Sequence, residues 1–258
     1  MRRAALALAA AAMAAGCSAF CPSADEEWPQ PIVDEIAKVL GGERRMLALN
    51  TVTIEGVASG TLLLDDPGEV IAGPYAIWQF SQTFDLRAHD WSIALAGGAT
   101  EGRPAVRRVF GLRGSAAYNG EPDGVSETSV SGTFEMMRRR LWYHHPLTVI
   151  RAALEGAEQC CGRTFHERIF EIATGAGSNA RLTVLRTGLV WIITSGDQPA
   201  GGIRVDSSFD DYRDVGGWML PFRIKTTVQT TAASSMGPLR RSGEMELVVK
   251  AYTLDPSS

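Results

Sequence analysis

Residues 208–224 read SFDDYRDVGGWMLPFRI, and this short stretch narrows the possible folds more than any other part of the chain. Phe222 and Ile224 alternate with Arg223 and Lys225, the period of a strand with one apolar and one wet face. Gly216 and Gly217 take positive φ without steric cost, so the chain can reverse there. Pro221 removes a backbone donor and points to an edge position or a bulge near the start of the second strand. A strand, a tight turn and a returning strand commit this region to an antiparallel sheet.

Similar runs recur along the chain. Val52 and Ile54 share one face of a strand over 51–55. Ala76, Trp78, Phe80 and Phe84 share a face of a longer strand, and Trp91, Ile93 and Leu95 share a face of the next. Asp65-Asp66-Pro67-Gly68 reads as a turn, Ala96-Gly97-Gly98 as a break, and 106–112 as a further strand. Asn119-Gly120 is a hairpin signal. Strands are expected over 164–172, 181–185, 189–194 and 244–254, with 230–243 as a polar loop. Alternating runs separated by such turns describe an antiparallel meander.

Two regions depart from that period. Ile32, Ile36, Val39 and Leu40 fall on one face of a helix, with Asp34 and Glu35 in its first turn and Gly41 at its end. That apolar face must cover something. Between 133 and 155 a basic run, Arg138-Arg139-Arg140, leads into Leu141-Trp142-Tyr143-His144-His145-Pro146. Val149, Ile150, Ala153 and Leu154 then resume helical spacing. The spacing predicts two helical pieces broken near Pro146 and ending at Gly156.

The N-terminal residues follow a different logic. Arg2-Arg3 precedes an apolar run over 4–15, a charged segment and then an apolar one, as in a signal peptide. The run is too short to span a bilayer stably. It closes on Ala14-Ala15-Gly16-Cys17, which resembles a bacterial lipobox, where the cysteine is acylated. Conventional cleavage after Ala12-Met13-Ala14 is the alternative and releases a soluble protein. With Ser18 rather than Asp after the cysteine, the lipobox resemblance implies the outer membrane. The expected organisation is a signal peptide over 1–16, a lipid-anchored tether over 17–29 and one domain over 30–258.

Loss of residues 1–16 takes the 25 basic residues to 23 against 29 acidic ones, a net charge near −6. That sign disfavours nucleic acid or an anionic membrane surface as the main partner. Cys21, Cys160 and Cys161 remain beside Cys17. Three cysteines form at most one internal disulfide, and adjacent ones bridge only with strain.

Two motifs carry a family resemblance. Tyr212-Arg213-Asp214-Val215-Gly216-Gly217, followed by Leu220-Pro221-Phe222-Arg223-Ile224, resembles a hairpin of the LolA/LolB-like proteins of the bacterial envelope. More specifically it resembles the LolA-like domain often found ahead of metallo-β-lactamase-fold hydrolase domains. The segment Ile36 to Gly42, a short helix ending in two glycines, and then Leu49 to Gly56, a strand ending in Glu-Gly, is similar to the start of such domains. The resemblance implies a mainly β (α+β) fold, a curved antiparallel half-barrel sheet with helices capping its concave face. It also implies an apolar concave face that receives acyl chains or the lipid of a lipoprotein, without catalysis. Trp78, Phe80, Phe84, Trp91 and Ile93 are the candidates to line such a cavity, with Leu141, Trp142, Val149 and Ile150 on the lid. The same residues would equally build a closed dry core, as in an envelope scaffold that binds a protein partner. The projecting apolar loop of LolB-like proteins has no counterpart identified in this sequence.

Catalytic patterns are sparse. His89-Asp90, His144-His145 and His166-Glu167 pair titratable neighbours, the basis of a less favoured reading as a metallohydrolase. None has the spacing of His-Glu-x-x-His, and neighbours on a strand point to opposite faces. The His-x-His-x-Asp-His pattern, a Gly-x-Ser-x-Gly elbow, a phosphate-binding Gly-rich loop and Cys-x-x-Cys are absent from the sequence. No cofactor is expected. Asp210, Asp211 and Asp214 around Tyr212 read as a solvated strand edge and turn. Arg138-Arg139-Arg140 reads as a solvated helix face, with an anionic head group as its alternative ligand.

Overall fold

The computed structural model describes residues 30–60, 77–97, 106–120, 127–130, 132–157, 159–163, 168–174, 178–196, 202–232 and 239–256. The expected signal segment, the expected tether with Cys17 and Cys21, the expected turn at 65–68, Ala76, and His166-Glu167 lie outside these residues. Helices α1 (Gln30–Leu40) and α2 (Glu43–Leu47) precede β1 (Leu49–Gly60), β2 (Ile77–Asp85), β3 (Asp90–Gly97), β4 (Val106–Arg113), β5 (Ala116–Gly120) and β6 (Glu127–Val130). Helices α3 (Thr133–Trp142) and α4 (Pro146–Leu154) follow. The chain continues through β7 (Gln159–Arg163), β8 (Arg168–Thr174), β9 (Ser178–Val184) and β10 (Val190–Ser195). It finishes with β11 (Ile203–Asp214), β12 (Met219–Ala232) and β13 (Leu239–Pro256).

Among the described residues, 13 strands form one sheet in the order β6-β5-β4-β3-β2-β1-β13-β12-β11-β10-β9-β8-β7. Each strand pairs antiparallel with its sequence neighbour, except that β13 returns to pair with β1 and the α3–α4 segment joins the two edge strands. Two arginines show how strongly the sheet curls. Arg138 donates to Tyr118 O on β5, and Arg140 donates to Ile203 O on β11. Those strands are seven ladder steps apart, roughly 34 Å across a flat sheet. Side chains two residues apart on one helix cannot span that distance. The sheet therefore wraps around α3, giving the expected half-barrel with its helices on the concave side.

The two faces alternate as a half-buried antiparallel sheet requires. Across the middle strands the concave face carries the ladders Leu95–Phe80–Gly56–Val249 and Trp91–Phe84–Val52–Leu254. The convex face is mostly polar, as where the Thr53 and Thr83 hydroxyls meet at 3.3 Å, with the exposed Val248 opposite Val57 as an apolar exception. A register shift between Glu55 and Gly56 opposite β13 marks a bulge near Lys250. It turns Tyr252 and Leu254 to the same face as Met245, Leu247 and Val249.

The hairpin at 208–224 forms as expected. Val215 and Trp218 exchange backbone bonds of 2.8 and 3.2 Å, with Gly216 and Gly217 at φ 61 and 82 between them. Pairing of β12 with β13 begins only at Arg223, so Pro221 sits where its missing donor costs no ladder bond to that strand. The turn docks on the other motif singled out in the sequence. Trp218, buried, packs where a Cβ on Gly41 would lie 2.6 Å from its ring. Arg45 on α2 stacks over that ring at 4.6 Å and donates to Gly216 O and Gly217 O at 2.9 and 3.0 Å.

Four local expectations are corrected. Asn119-Gly120 is not a turn: both residues pair within β5, and the reversal lies at Gly114-Ser115, with Gly114 at φ 55. Asn119 is held in the strand by a tertiary partner, accepting at Oδ1 from Arg138. Residues 230–243 are not one loop, because β12 and β13 continue pairing to Ala232↔Leu239. The polarity there reflects a wet strand face, and the β-branched run of β12 favours the extended chain. Of the strand expected over 164–172 the described part, from Arg168, belongs to β8, and an additional strand, β7, lies before it, the two pairing from Arg163↔Arg168 to Gln159↔Ile172. Finally, α1 begins at Gln30, which moves Asp34 and Glu35 out of its first turn. Val33 and Ala37, both 0% exposed, join Ile32, Ile36 and Leu40 in its buried face, while Val39 is only half buried.

Candidate functional site

The concave face and the helices inside it form the candidate site. The sheet contributes Phe80, Phe84, Trp91 and Ile93, all buried. Gly56 has no Cβ, which leaves room for the Phe80 ring to lie across β1. Trp78 takes its place in β2 opposite Ala58 and Gly97, its side chain lying outside the described residues. The helices contribute Leu141 and Trp142 at the end of α3, and Val149 and Ile150 on α4.

The structure divides these residues among three surroundings. Phe84, Trp91, Ile93 and Leu141 face one another across a cavity of about 30 Å³. Ile224, Thr226, Met245 and Leu247 close its far side. Phe80, Val149 and Ile150 lie in the continuous core, with α4 packed on α1 and α2. Trp142 lines a second, more open pocket of about 170 Å³ at the end of the sheet. A void near 30 Å³ has room for one or two water molecules and none for an acyl chain. In this form the concave trough is filled by α3 and α4.

What joins the helices to the sheet is polar. His144 is buried, with Nδ1 3.0 Å from Ser207 Oγ and Nε2 2.7 Å from Ser195 Oγ. Ser207 Oγ continues to Thr226 Oγ1 at 2.8 Å. His145 caps α4, its Nδ1 accepting from Leu147 N at 3.3 Å, while its buried Nε2 has no partner among the described residues. Burial lowers His144 to about 3, against a smaller upward pull from Asp206 and alongside a downward push from Arg140. Burial lowers His145 to about 3 as well. Both rings are neutral at pH 7, which a dry interface demands.

The arginines complete the seam and correct a reading of the sequence. Arg138 is 0% exposed and Arg140 is 7% exposed, so 138–140 is not a solvated helix face. Arg138 bonds Tyr118 O and Asn119 Oδ1 and lies 5.4 Å from the Phe110 ring. Arg151 donates to Met46 O at 3.2 Å and to Leu49 O, and pairs with Glu155 at 2.8 Å. Only Arg139 keeps a partly exposed side chain, paired with Glu135. The helical period located these residues. Their burial follows from the wrapping of the sheet, which no local pattern records. Ser195, Ser207 and Thr226 were likewise invisible, since an inward hydroxyl on a strand reads as any other polar position.

Other candidates fall outside this seam. Asp210, Asp211 and Asp214 are exposed around the hairpin turn; Asp211 pairs with Arg213, and Asp214 Oδ1 accepts from Gly217 N at 2.8 Å. Tyr212 donates its hydroxyl to Val190 O at 2.5 Å, and burial raises its pKa. His89 and Asp90 diverge: Asp90 Oδ1 accepts from Gly114 N at 2.6 Å, while the His89 ring packs 5.0 Å from Trp142. Among the described residues no three His, Cys, Asp or Glu side chains converge as a metal site would require. Among them, too, no helix is long and apolar enough to cross a membrane.

No family model matches the chain, and no curated protein is significantly similar to it. Among solved structures it is similar to the LolA superfamily protein NE2245 from Nitrosomonas europaea. That match has 12% identity and a TM-score of 0.45, covering 88% of this chain and 93% of the other. It is also similar to LprF from Mycobacterium bovis, with 8% identity and a TM-score of 0.25, over 89% of this chain and 98% of that one. The first belongs to the family that the hairpin motif resembles. At these levels neither match carries functional weight.

Proposed function

We propose that this is a bacterial envelope protein that binds a hydrophobic ligand, an acyl chain or the lipid of a lipoprotein, between its concave sheet and an α3–α4 lid. It has no catalytic role in this reading. One observation carries it: the apolar halves of lid and sheet meet across a small void and are held there by exchangeable polar bonds. Arg140, His144 and Arg151 reach carbonyls and hydroxyls that water can serve equally well once the lid lifts. Opening would expose Phe84, Trp91 and Ile93 as a ready apolar trough, and each buried CH₂ of a ligand returns about 0.8 kcal/mol. Residues 1–16 act as the signal peptide in this proposal. Acylated Cys17 and the 17–29 tether hold the domain at the periplasmic face of the outer membrane; conventional cleavage leaves it soluble in the periplasm.

The filled trough favours a second reading, an envelope scaffold whose closed core meets a protein partner. Native mass spectrometry of the Cys17→Ser protein separates the two. A lipid mass that co-purifies and is lost on denaturation supports the carrier, and Arg140→Gln, which loosens the latch, should raise the lipid-bound fraction. An apo mass in both proteins after incubation with envelope lipids refutes it in favour of the scaffold.

A further inference from the structure

The 170 Å³ pocket at the end of the sheet is separate from the lid–sheet cavity and shares no lining residue with it. It lies between the β2–β3 turn, the β4–β5 turn and the end of α3. Its floor is apolar, formed by Leu112 and by the Trp142 and Tyr143 rings, which meet edge to face at 4.9 Å. Its polar groups are His89, Ser115 and Arg139, and no carboxylate lines it.

Three observations make this a place for an oxygen-rich ligand. Arg139, whose side chain is partly exposed, brings a guanidinium to the pocket wall together with the Ser115 hydroxyl. The pocket thus offers guanidinium and hydroxyl donors and contributes no carboxylate acceptor of its own. His89 is held at φ 57, a conformation uncommon outside glycine, and this sets its ring 5.0 Å from Trp142 at the pocket's edge. Both basic side chains meet a carboxylate outside the lining: Arg139 pairs with Glu135, and His89 Nε2 lies 3.9 Å from Glu155 Oε2. The guanidinium is thus positioned and its charge balanced by Glu135, suited to one anionic group of moderate affinity.

We propose that this pocket binds the phosphate of an anionic phospholipid head group, with the glycerol carbons against Trp142 and Leu112. The assignment deepens the lipid-binding reading and rests on it for the lipid source. The chain's net negative charge opposes adsorption to an anionic bilayer, so the head group is recognised one molecule at a time.

Calorimetry of the Cys17→Ser protein with dioctanoyl phosphatidylglycerol, dioctanoyl phosphatidylcholine and inorganic phosphate tests this. The expected result is tighter binding of the phosphatidylglycerol than of the phosphatidylcholine. Arg139→Gln should lower its affinity about tenfold or more, the range for a hydrogen bond to a charged group. Ser115→Trp, which fills the pocket from an exposed turn, should do the same without touching the core. Phosphate that binds and competes, with no gain for the lipid, supports the anion site and overturns the lipid source. Phosphate binding with neither lipid bound would sink the lipid-carrier function while leaving the pocket's chemistry intact. Equal affinity for both lipids, unchanged by either substitution, refutes the pocket and spares the carrier.

Discussion

Acidification should loosen this protein through two rings at the lid. His144 and His145 are lowered by burial to about 3 in the folded protein, against 6.5 for an unburied ring. The unfolded chain therefore binds more protons than the folded one between those values. Stability is full above pH 6.5 and falls as pH drops from 6.5 toward 3. At pH 4.5 each unfolded ring is two units below its pKa while the folded ring is still neutral, a loss of about 2 to 3 kcal/mol per ring. Both rings together give about 5 kcal/mol, a large share of the roughly 5–15 kcal/mol that holds a domain together. Urea denaturation at steps between pH 7 and 4.5 measures the slope. His144→Gln and His145→Gln each remove one ring, so each should reduce the loss over that interval by about half. The carboxylates titrate alike in all three proteins and cancel in the difference. A slope that both substitutions leave unchanged, or a wild type that gains stability as pH falls, refutes the reasoning.

Three further predictions concern close contacts. Gly41→Val places a side chain within 2.6 Å of the Trp218 ring at a backbone φ of 145, so it should cost about 1 to 3 kcal/mol in the urea midpoint, and Trp218 emission should shift to the red. Gly56→Ala sets a Cβ 2.2 Å from the Val248 carbonyl; hydrogen exchange should show the β1–β13 pairing opened while β8–β9 keeps its protection. Arg138→Leu abandons Tyr118 O and the Asn119 side chain in a buried place and should cost about 3 kcal/mol by chemical denaturation, whereas Arg213→Leu, on an exposed pair, should leave the midpoint where it is.

Much of the architecture was legible because its signals are local. Period-2 alternation identified β2, β3 and the hairpin, since each strand presents one face to the core regardless of its partners. The break at Pro146 divided α3 from α4 where expected, because a proline sets the conformation of its own neighbours. The failures are also informative. Asn119-Gly120 carries turn chemistry, yet Arg138 captures the asparagine and holds it in a strand. The hydroxyl-rich end of β12 looked like a loop because polarity marks solvent, and a strand edge facing water is as wet as a loop.

By itself the sequence determined the antiparallel meander, the glycine turn, the interrupted helix and a set of apolar residues committed to burial. Those follow from backbone preferences and side-chain periodicity, which act over a few residues. Only the tertiary structure decided that β13 closes onto β1, that the sheet wraps far enough for Arg138 and Arg140 to grip strands seven ladder steps apart, and that the trough is filled by α3 and α4. It also decided that the basic run is buried and that His144 bridges Ser195 and Ser207. These outcomes depend on sheet curvature, the sum of many small twists and bulges along the described strands. No single stretch of residues carries that sum.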